Sequence, residues 1–279
     1  MKINFTKMHG CGNDYIYINC FNQKIDEPSK LSVKLSDRRY GIGGDGIILI
    51  CPSNIADAKM RMFNIDGSEG KMCGNGIRCV GKYVYDYGIA HKDDITIETL
   101  SGVKQLHICE SNGKISRLMV NMGKAELNPK SIPVKLERDN VINYEINLNG
   151  DKFHITCVSM GNPHCIIFVD DVNKIDVEKI GKKFENSGIF PEGVNVEFVQ
   201  LINTNNLKMR VWERGSGETL ACGTGACASV VAAVENGYCD KNNDVKVELL
   251  GGDLIINYKQ DAVYMTGNAE EVFKGEIDI

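Results

Sequence analysis

No stretch of this 279-residue chain approaches the ~18 consecutive apolar residues of a membrane-spanning helix, so no membrane span is expected. The opening, MKINFTKMHGCGND, lacks the apolar segment of a secretory signal, which points to the cytoplasm. No large excess of one charge is present. The 32 basic and 37 acidic residues are interspersed and leave a net charge of −5, which argues against nucleic acid or an anionic membrane as partner. Also missing is the Cys-x2-Cys spacing of zinc sites and thiol–disulfide redox proteins, so no metal is expected. The 11 cysteines are odd in number and read as reduced thiols. Five of them, Cys20, Cys51, Cys109, Cys157 and Cys165, lie in apolar, strand-like runs and are expected in the core.

What the chain does have is a repeated pattern. Glu69 to Val80 reads EGKMCGNGIRCV, and Glu218 to Val230 reads ETLACGTGACASV. In each, a Cys-Gly-x-Gly turn opens a helix-like run. Cys222 lies 149 positions after Cys73, and Gly161-Asn162 lies 149 positions after Gly12-Asn13. Lys59-Met60-Arg61 is answered by Lys208-Met209-Arg210. A repeat this long means two similar domains rather than a solenoid, whose period is ~20–50 residues. Two such domains facing each other would present Cys73 and Cys222 from opposite sides of one cleft.

The chemistry follows from the position. A thiol at a helix start meets outward-pointing N–H groups and the positive end of the helix dipole, which favour thiolate. The glycines let backbone amides approach an anion closely. Two thiols flanking one carbon suit inversion: a thiolate removes a proton from one face and a thiol delivers one to the other. That scheme needs no cofactor.

Coarse patterning gives short strands with one long helix in each half, an α+β class. Helices are expected at Pro28–Asp37 and Val177–Asn186, and after each Cys-Gly-x-Gly turn. A polar stretch from Asn128 to Pro133 reads as the linker. The expected domains are 1–122, completed by 266–279, and 123–265, each a mainly antiparallel sheet or barrel around a central helix, with the site in the cleft between them.

In order along the chain, Phe5-Thr6-Lys7-Met8-His9-Gly10-x-Gly12-Asn13-Asp14, Phe63-Asn64-x-Asp66-Gly67-Ser68-Glu69, Cys73-Gly74-Asn75-Gly76, Gly161-Asn162-Pro163-His164, Val194-Asn195 and Glu213-Arg214-Gly215-x-Gly217-Glu218-Thr219-x-Ala221-Cys222-Gly223-Thr224-Gly225-Ala226 resemble the diaminopimelate epimerase family, cofactor-independent two-cysteine amino-acid racemases. The resemblance implies two pseudo-symmetric domains, a homodimer, and epimerisation of LL-2,6-diaminopimelate to the meso form for lysine and peptidoglycan synthesis. It implies that Cys73 and Cys222 are the base and acid pair. Gly74, Asn75, Gly223 and Thr224 would offer N–H groups to the carboxylate at the reacting carbon. Asn13, Asn64, Asn162, Asn195 and Arg214 would bind the distal end, and Glu213 and His164 would serve the reacting amino group and the cysteines. Two positions depart from the family: Gly46 stands where some members carry glutamine, and Trp212 where many carry tyrosine, which reads as a packing change.

Other readings compete. A racemase of another amino acid would keep the catalytic half and change the distal contacts. Gly223 to Ala228 also fits the loose dinucleotide pattern G-x-G-x-x-A, the signature of an NAD-dependent oxidoreductase. Its context is wrong, because the strand ending at Glu213 stops well before the glycines, whereas a dinucleotide turn leaves its strand directly. Cys79 and Cys227 fall inside the helices and read as core. Glu69 and Glu218 read equally well as acids placed by the helix dipole and are left outside the catalytic set.

Overall fold

Alternating side chains set the strands, and the computed structural model, which describes residues 2–111 and 115–279, shows which faces they bury. The chain divides into two compact units, one of Met1–Asn121 with Thr266–Ile279 and one of Met122–Met265.

The first unit opens with β1 (Lys2–Gly10) and β2 (Asn13–Asn19), then α1 (Pro28–Ser36), β3 (Gly46–Cys51), β4 (Ala58–Asn64) and a two-residue β5 (Glu69–Gly70). Next come α2 (Gly74–Asp86), β6 (Asp94–Thr99), β7 (Gly102–Ser111) and β8 (Ile115–Gly123). In the second are β9 (Tyr144–Leu148), β10 (Asp151–Ser159), β11 (Pro163–Phe168), α3 (Val177–Glu185), β12 (Asn195–Asn203), β13 (Asn206–Glu213) and β14 (Gly217–Thr219). It continues with α4 (Gly223–Glu235), β15 (Asp244–Leu249) and β16 (Gly252–Tyr258); β17 (Val263–Asn268) begins in the second unit and ends in the first, which also holds β18 (Glu270–Asp278).

Pairing repeats along with the sequence. In the first unit β1–β2 is antiparallel, β2–β3 parallel, β3–β4 antiparallel, β4–β6 parallel and β6–β7 antiparallel. The second runs β10–β11, β11–β12, β12–β13, β13–β15 and β15–β16 in the same senses. One strand differs in origin. β10 is flanked by β9, which precedes it, whereas β1 is flanked by β18 from the far end of the chain. The turn joining each opening hairpin needs positive φ, taken by Gly12 at 78° and Gly161 at 95°.

Each sheet is buried on both faces, so β3 reads Gly-Ile-Ile-Leu-Ile-Cys without polar alternation. Ile16, Ile18, Ile47, Leu49 and Phe63 meet Leu31 and Leu35 of α1 on one face. On the other lies α2, buried from Gly74 to Val84. α3 covers its sheet through Val177 and Phe184, and α4 packs on the opposite face against β10, β11, β12, β13, β15 and β16. This is an α+β architecture.

Several expectations change. Cys157 and Cys165 are opposed in register and fully buried, but Cys20 and Cys51 are half-buried at strand ends and Cys109 is exposed. The stretch read as a linker carries Ile132, wholly buried in the second unit's core. The small strands β5 and β14 were invisible in sequence because they are too short to show a period. Trp212 is a packing residue: it lies against Gly181 of α3 and donates its indole N–H to Glu185 Oε2 at 2.8 Å.

Candidate active site

Both glycine-led helices are capped by cysteine. Cys73 is the N-cap of α2 and its sulfur accepts the Gly76 N–H at 3.3 Å. Cys222 is the N-cap of α4 and accepts from Gly225 at 3.4 Å. N-caps are usually Ser, Thr, Asp or Asn. A sulfur in that place receives a donor that favours its charged form.

Around Cys73 the polar partners are neutral amides backed by ion pairs. The thiol donates to Asn13 Oδ1 at 3.2 Å, and Asn13 Nδ2 donates to Asp45 Oδ2 at 2.7 Å. Arg38 bridges Asp45 and Asp14, and Lys7 pairs with Asp14 at 2.6 Å. Burial alone would raise the Asp14 carboxyl, but Arg38 and Lys7 together hold it below its ordinary range. Asn75 is 2% exposed, and its Oδ1 accepts from Arg78 Nη2 at 3.0 Å. Asn64, at the end of β4, bonds the Ser68 hydroxyl through Nδ2 at 3.0 Å.

Around Cys222 the network is ionisable. Cys222 Sγ lies 3.5 Å from Thr224 Oγ1, which accepts from Asn162 Nδ2 at 3.3 Å. Asn162 Oδ1 meets His164 Nε2 at 3.1 Å, and His164 Nδ1 meets Glu197 Oε1 at 2.7 Å. His164 and Glu197 are both fully buried. Glu213 accepts from the Thr219 hydroxyl and lies within hydrogen-bonding reach of the Cys222 sulfur. Burial, then the charges of Glu213 and Glu197, push the Cys222 thiol well above its ordinary range, against opposing bonds from Thr224 and the Gly225 N–H. Burial likewise raises the Glu213 carboxyl.

Asn195 is 4% exposed and donates from Nδ2 to the Pro163 carbonyl at 2.9 Å. Its Oδ1 accepts the Arg214 N–H at 3.0 Å. The Arg214 guanidinium is exposed and donates to the Glu192 carbonyl at 2.8 Å. The structure therefore gathers Cys73, Gly74, Asn75 and Asn13 around one helix start. Cys222, Gly223, Thr224, Asn162, His164 and Glu213 gather around the other. Asn64 stands apart from these bonded groups, and Asn195 and Arg214 are joined to each other.

Two glutamates are explained structurally. Glu69 receives both Arg61 donors, at 2.7 and 3.0 Å, and Glu218 receives both from Arg210 at the same two distances. These forks tie β5 to β4 and β14 to β13. The glycines at Gly223 follow β14, which is antiparallel to β13, and not the parallel strand of a dinucleotide unit. At Gly46 a Cβ would fall on the Phe63 carbonyl, so backbone occupies the place of a side chain.

Sequence reading missed Glu197 and Arg78. The available signals were a single acid in the mainly apolar run Val194 to Val199 and, at Arg78, a cation four residues before Lys82 on a helix buried from Gly74 to Val84.

With the 149-residue offset, Asn13 answers Asn162 and Cys73 answers Cys222. Tyr15 then answers His164, Gly46 answers Asn195, Ile48 answers Glu197, and Asn64 answers Glu213. At three of these pairs the second copy carries an imidazole or carboxyl group, His164, Glu197 and Glu213, where the first carries Tyr15, Ile48 and Asn64. Among the described residues, no three His, Cys, Asp or Glu side chains are grouped to hold a metal ion.

A family model described as diaminopimelate epimerase matches residues 5–128 and 156–272. A diaminopimelate epimerase of Acetivibrio thermocellus is 53% identical over 277 residues, 99% of this chain and 98% of that one. One of Methanococcus maripaludis is 55% identical over 277 residues, covering 99% of each. Among solved structures, a phenazine biosynthesis protein of the PhzF family from Bacillus anthracis superposes with a TM-score of 0.72 over the whole of both chains. At 16% identity that likeness is one of fold.

Proposed function

The chain belongs to the diaminopimelate epimerase family, and from that premise we propose that it converts LL-2,6-diaminopimelate to the meso isomer. The observation that carries the reading is the pair of N-cap cysteines, each at a glycine-led helix start, at corresponding places in a duplicated chain.

In this reading Cys73 and Cys222 reach one α-carbon from opposite faces. Burial and two carboxylates hold the proton of Cys222, so Cys222 enters as the donor, and Cys73 acts as base once the proton it donates to Asn13 in this structure has left. The α-carboxylate sits at the positive ends of α2 and α4, against the N–H groups of Gly74, Asn75, Gly223 and Thr224. There the charge that grows during deprotonation is stabilised. Glu213 and His164 serve the amino group and Cys222. Asn13, Asn64, Asn162, Asn195 and Arg214 hold the distal end, where the planar fork of Arg214 suits a carboxylate. The two thiols exchange protons without a cofactor.

We read the working form as a cytoplasmic homodimer. Val272 and Phe273 of β18 are 56% and 47% exposed, an apolar pair suited to a second copy. A monomeric mass in sedimentation equilibrium would overturn that assembly.

The reaction is tested by NMR of the purified protein with LL-diaminopimelate in D₂O. Deuterium entering the α-carbon as the meso isomer forms is the expected result. Exchange with a different amino acid alone would keep the chemistry and move the substrate. No exchange with any amino acid, under reducing conditions, would reject both.

A further inference from the structure

Glu197 occupies a socket that the fold fills with hydrocarbon in the other copy. A Cβ placed at Gly76 would lie 2.7 Å from Ile48 Cδ1, and one at Gly225 would lie 2.6 Å from Glu197 Oε1. The same space beneath the first helical turn holds a methyl group in one unit and a carboxylate in the other. The architecture therefore requires volume there, not charge.

A buried carboxylate is costly unless it is compensated. Glu197 is fully buried, and its Oε2 has no hydrogen-bond partner among the described residues. The titratable groups coupled to it are His164, bonded at 2.7 Å, and through charge alone Cys165, Glu213 and Cys222. Only His164 can bring a positive charge. A protonated imidazole satisfies both its neighbours, donating from Nδ1 to Glu197 and from Nε2 to Asn162 Oδ1. Asn162 then donates from Nδ2 to Thr224. Thr224, having accepted that bond, has its own proton left for the Cys222 sulfur.

We propose that Glu197 is a positioning residue: by holding His164 with a proton on each ring nitrogen, it fixes the sense of the His164–Asn162–Thr224 chain so that the Thr224 hydroxyl donates to Cys222. This rests on Cys222 being one of the two proton-transfer groups. When Cys222 gives up its proton it is left as a buried thiolate beside Glu213, and the Thr224 donor stabilises it. With Gln at position 197 the imidazole is neutral and its one proton is no longer fixed, because an amide meets Nδ1 either as acceptor or as donor. In the Nδ1–H form Nε2 accepts, the Asn162 amide turns over, and Thr224 donates to Asn162 instead of to sulfur.

Side-chain ¹⁵N NMR of His164, compared between wild type and Glu197→Gln, reads the first half directly. Two ring protons are expected in the wild type and one in the variant. A wild-type His164 with a single ring proton would overturn the proposal, and that spectrum needs no variant to fold. The second half is a double-mutant cycle on α-proton exchange. Glu197→Gln and Thr224→Val should each slow exchange about 10- to 100-fold, the loss of one hydrogen bond to a charged group. Together they should slow it no further than the slower single variant. Losses that multiply would overturn the relay. Wild-type protein that exchanges no diaminopimelate proton, yet shows both His164 ring protons, would remove the substrate reading and leave the role of Glu197 standing.

Discussion

At the scale of single residues, the two cysteines share a place and differ in surroundings. Each caps a helix through its sulfur, but Cys73 meets the amide of Asn13 while Cys222 meets Thr224 and two carboxylates. Replacing either by serine leaves a cap and removes a thiol that can trade protons near neutral pH. Cys73→Ser and Cys222→Ser should each cut epimerisation by about 10²–10⁴-fold, assayed as meso isomer formed. Full activity in one variant would sink the two-base scheme. Arg214→Ala removes an exposed fork and should lower kcat/KM for diaminopimelate about 10²-fold, the worth of one charge-assisted pair, with unfolding unchanged. Glu213 yields a prediction about stability. Its folded carboxyl titrates above its ordinary value of 4.5 because it is buried. The stability it contributes is complete below that value and is lost as pH rises through the folded titration. Glu213→Gln removes the titration, so its Tm relative to wild type should climb from pH 4 to pH 8. A difference independent of pH would refute this.

At the scale of elements, correspondence between the copies is close for helices and looser for strands. α1 (Pro28–Ser36) recurs as α3 (Val177–Glu185), and α2 (Gly74–Asp86) as α4 (Gly223–Glu235), with identical lengths. The helices were legible because starts such as Pro28 and the Cys-Gly-x-Gly turns carry signals, and the structure adds Asp176, which caps α3 by accepting the Lys179 N–H. β5 and β14 were not, since their contribution is an Arg–Glu fork across a hairpin, which has no periodic signature. Contacts between elements were hidden as well. A Cβ at Gly181 of α3 would enter the Trp212 indole. Gly181→Ala should therefore destabilise the second unit by about 1–3 kcal/mol, despite the better helix propensity of alanine, as read by urea unfolding. A neutral or stabilising result would mean that the indole repacks freely.

At the scale of the whole molecule, each unit is one copy of a repeated topology, and the chain's ends close the first copy. β1 depends on β18 from the C-terminus, whereas β10 has β9 directly before it. Removing residues 269–279 should expose β1 amides to hydrogen exchange while β10 and β11 keep their protection. Equal loss in both units would show that they unfold as one. The half-buried Cys20 and Cys51 and exposed Cys109 belong to this scale too. Their apolar neighbours suggested a core, but strand ends lie where covering helices stop, and only the folded sheet shows where that is.

By itself, the sequence determined the duplication, the α+β class, the two N-cap cysteines and the resemblance to diaminopimelate epimerases. Each of these is written in local spacing: a fixed offset, a glycine-led turn, a periodic run. Tertiary structure alone decided how the two copies differ. Glu197 is an acid in an apolar strand until parallel pairing with β11 and the first turn of α4 enclose it against His164. Glu69 and Glu218 resembled dipole acids until the hairpins set them against Arg61 and Arg210. Charge, burial and hydrogen-bond direction arise from neighbours distant in sequence, so they are properties of the packed molecule and leave no local mark.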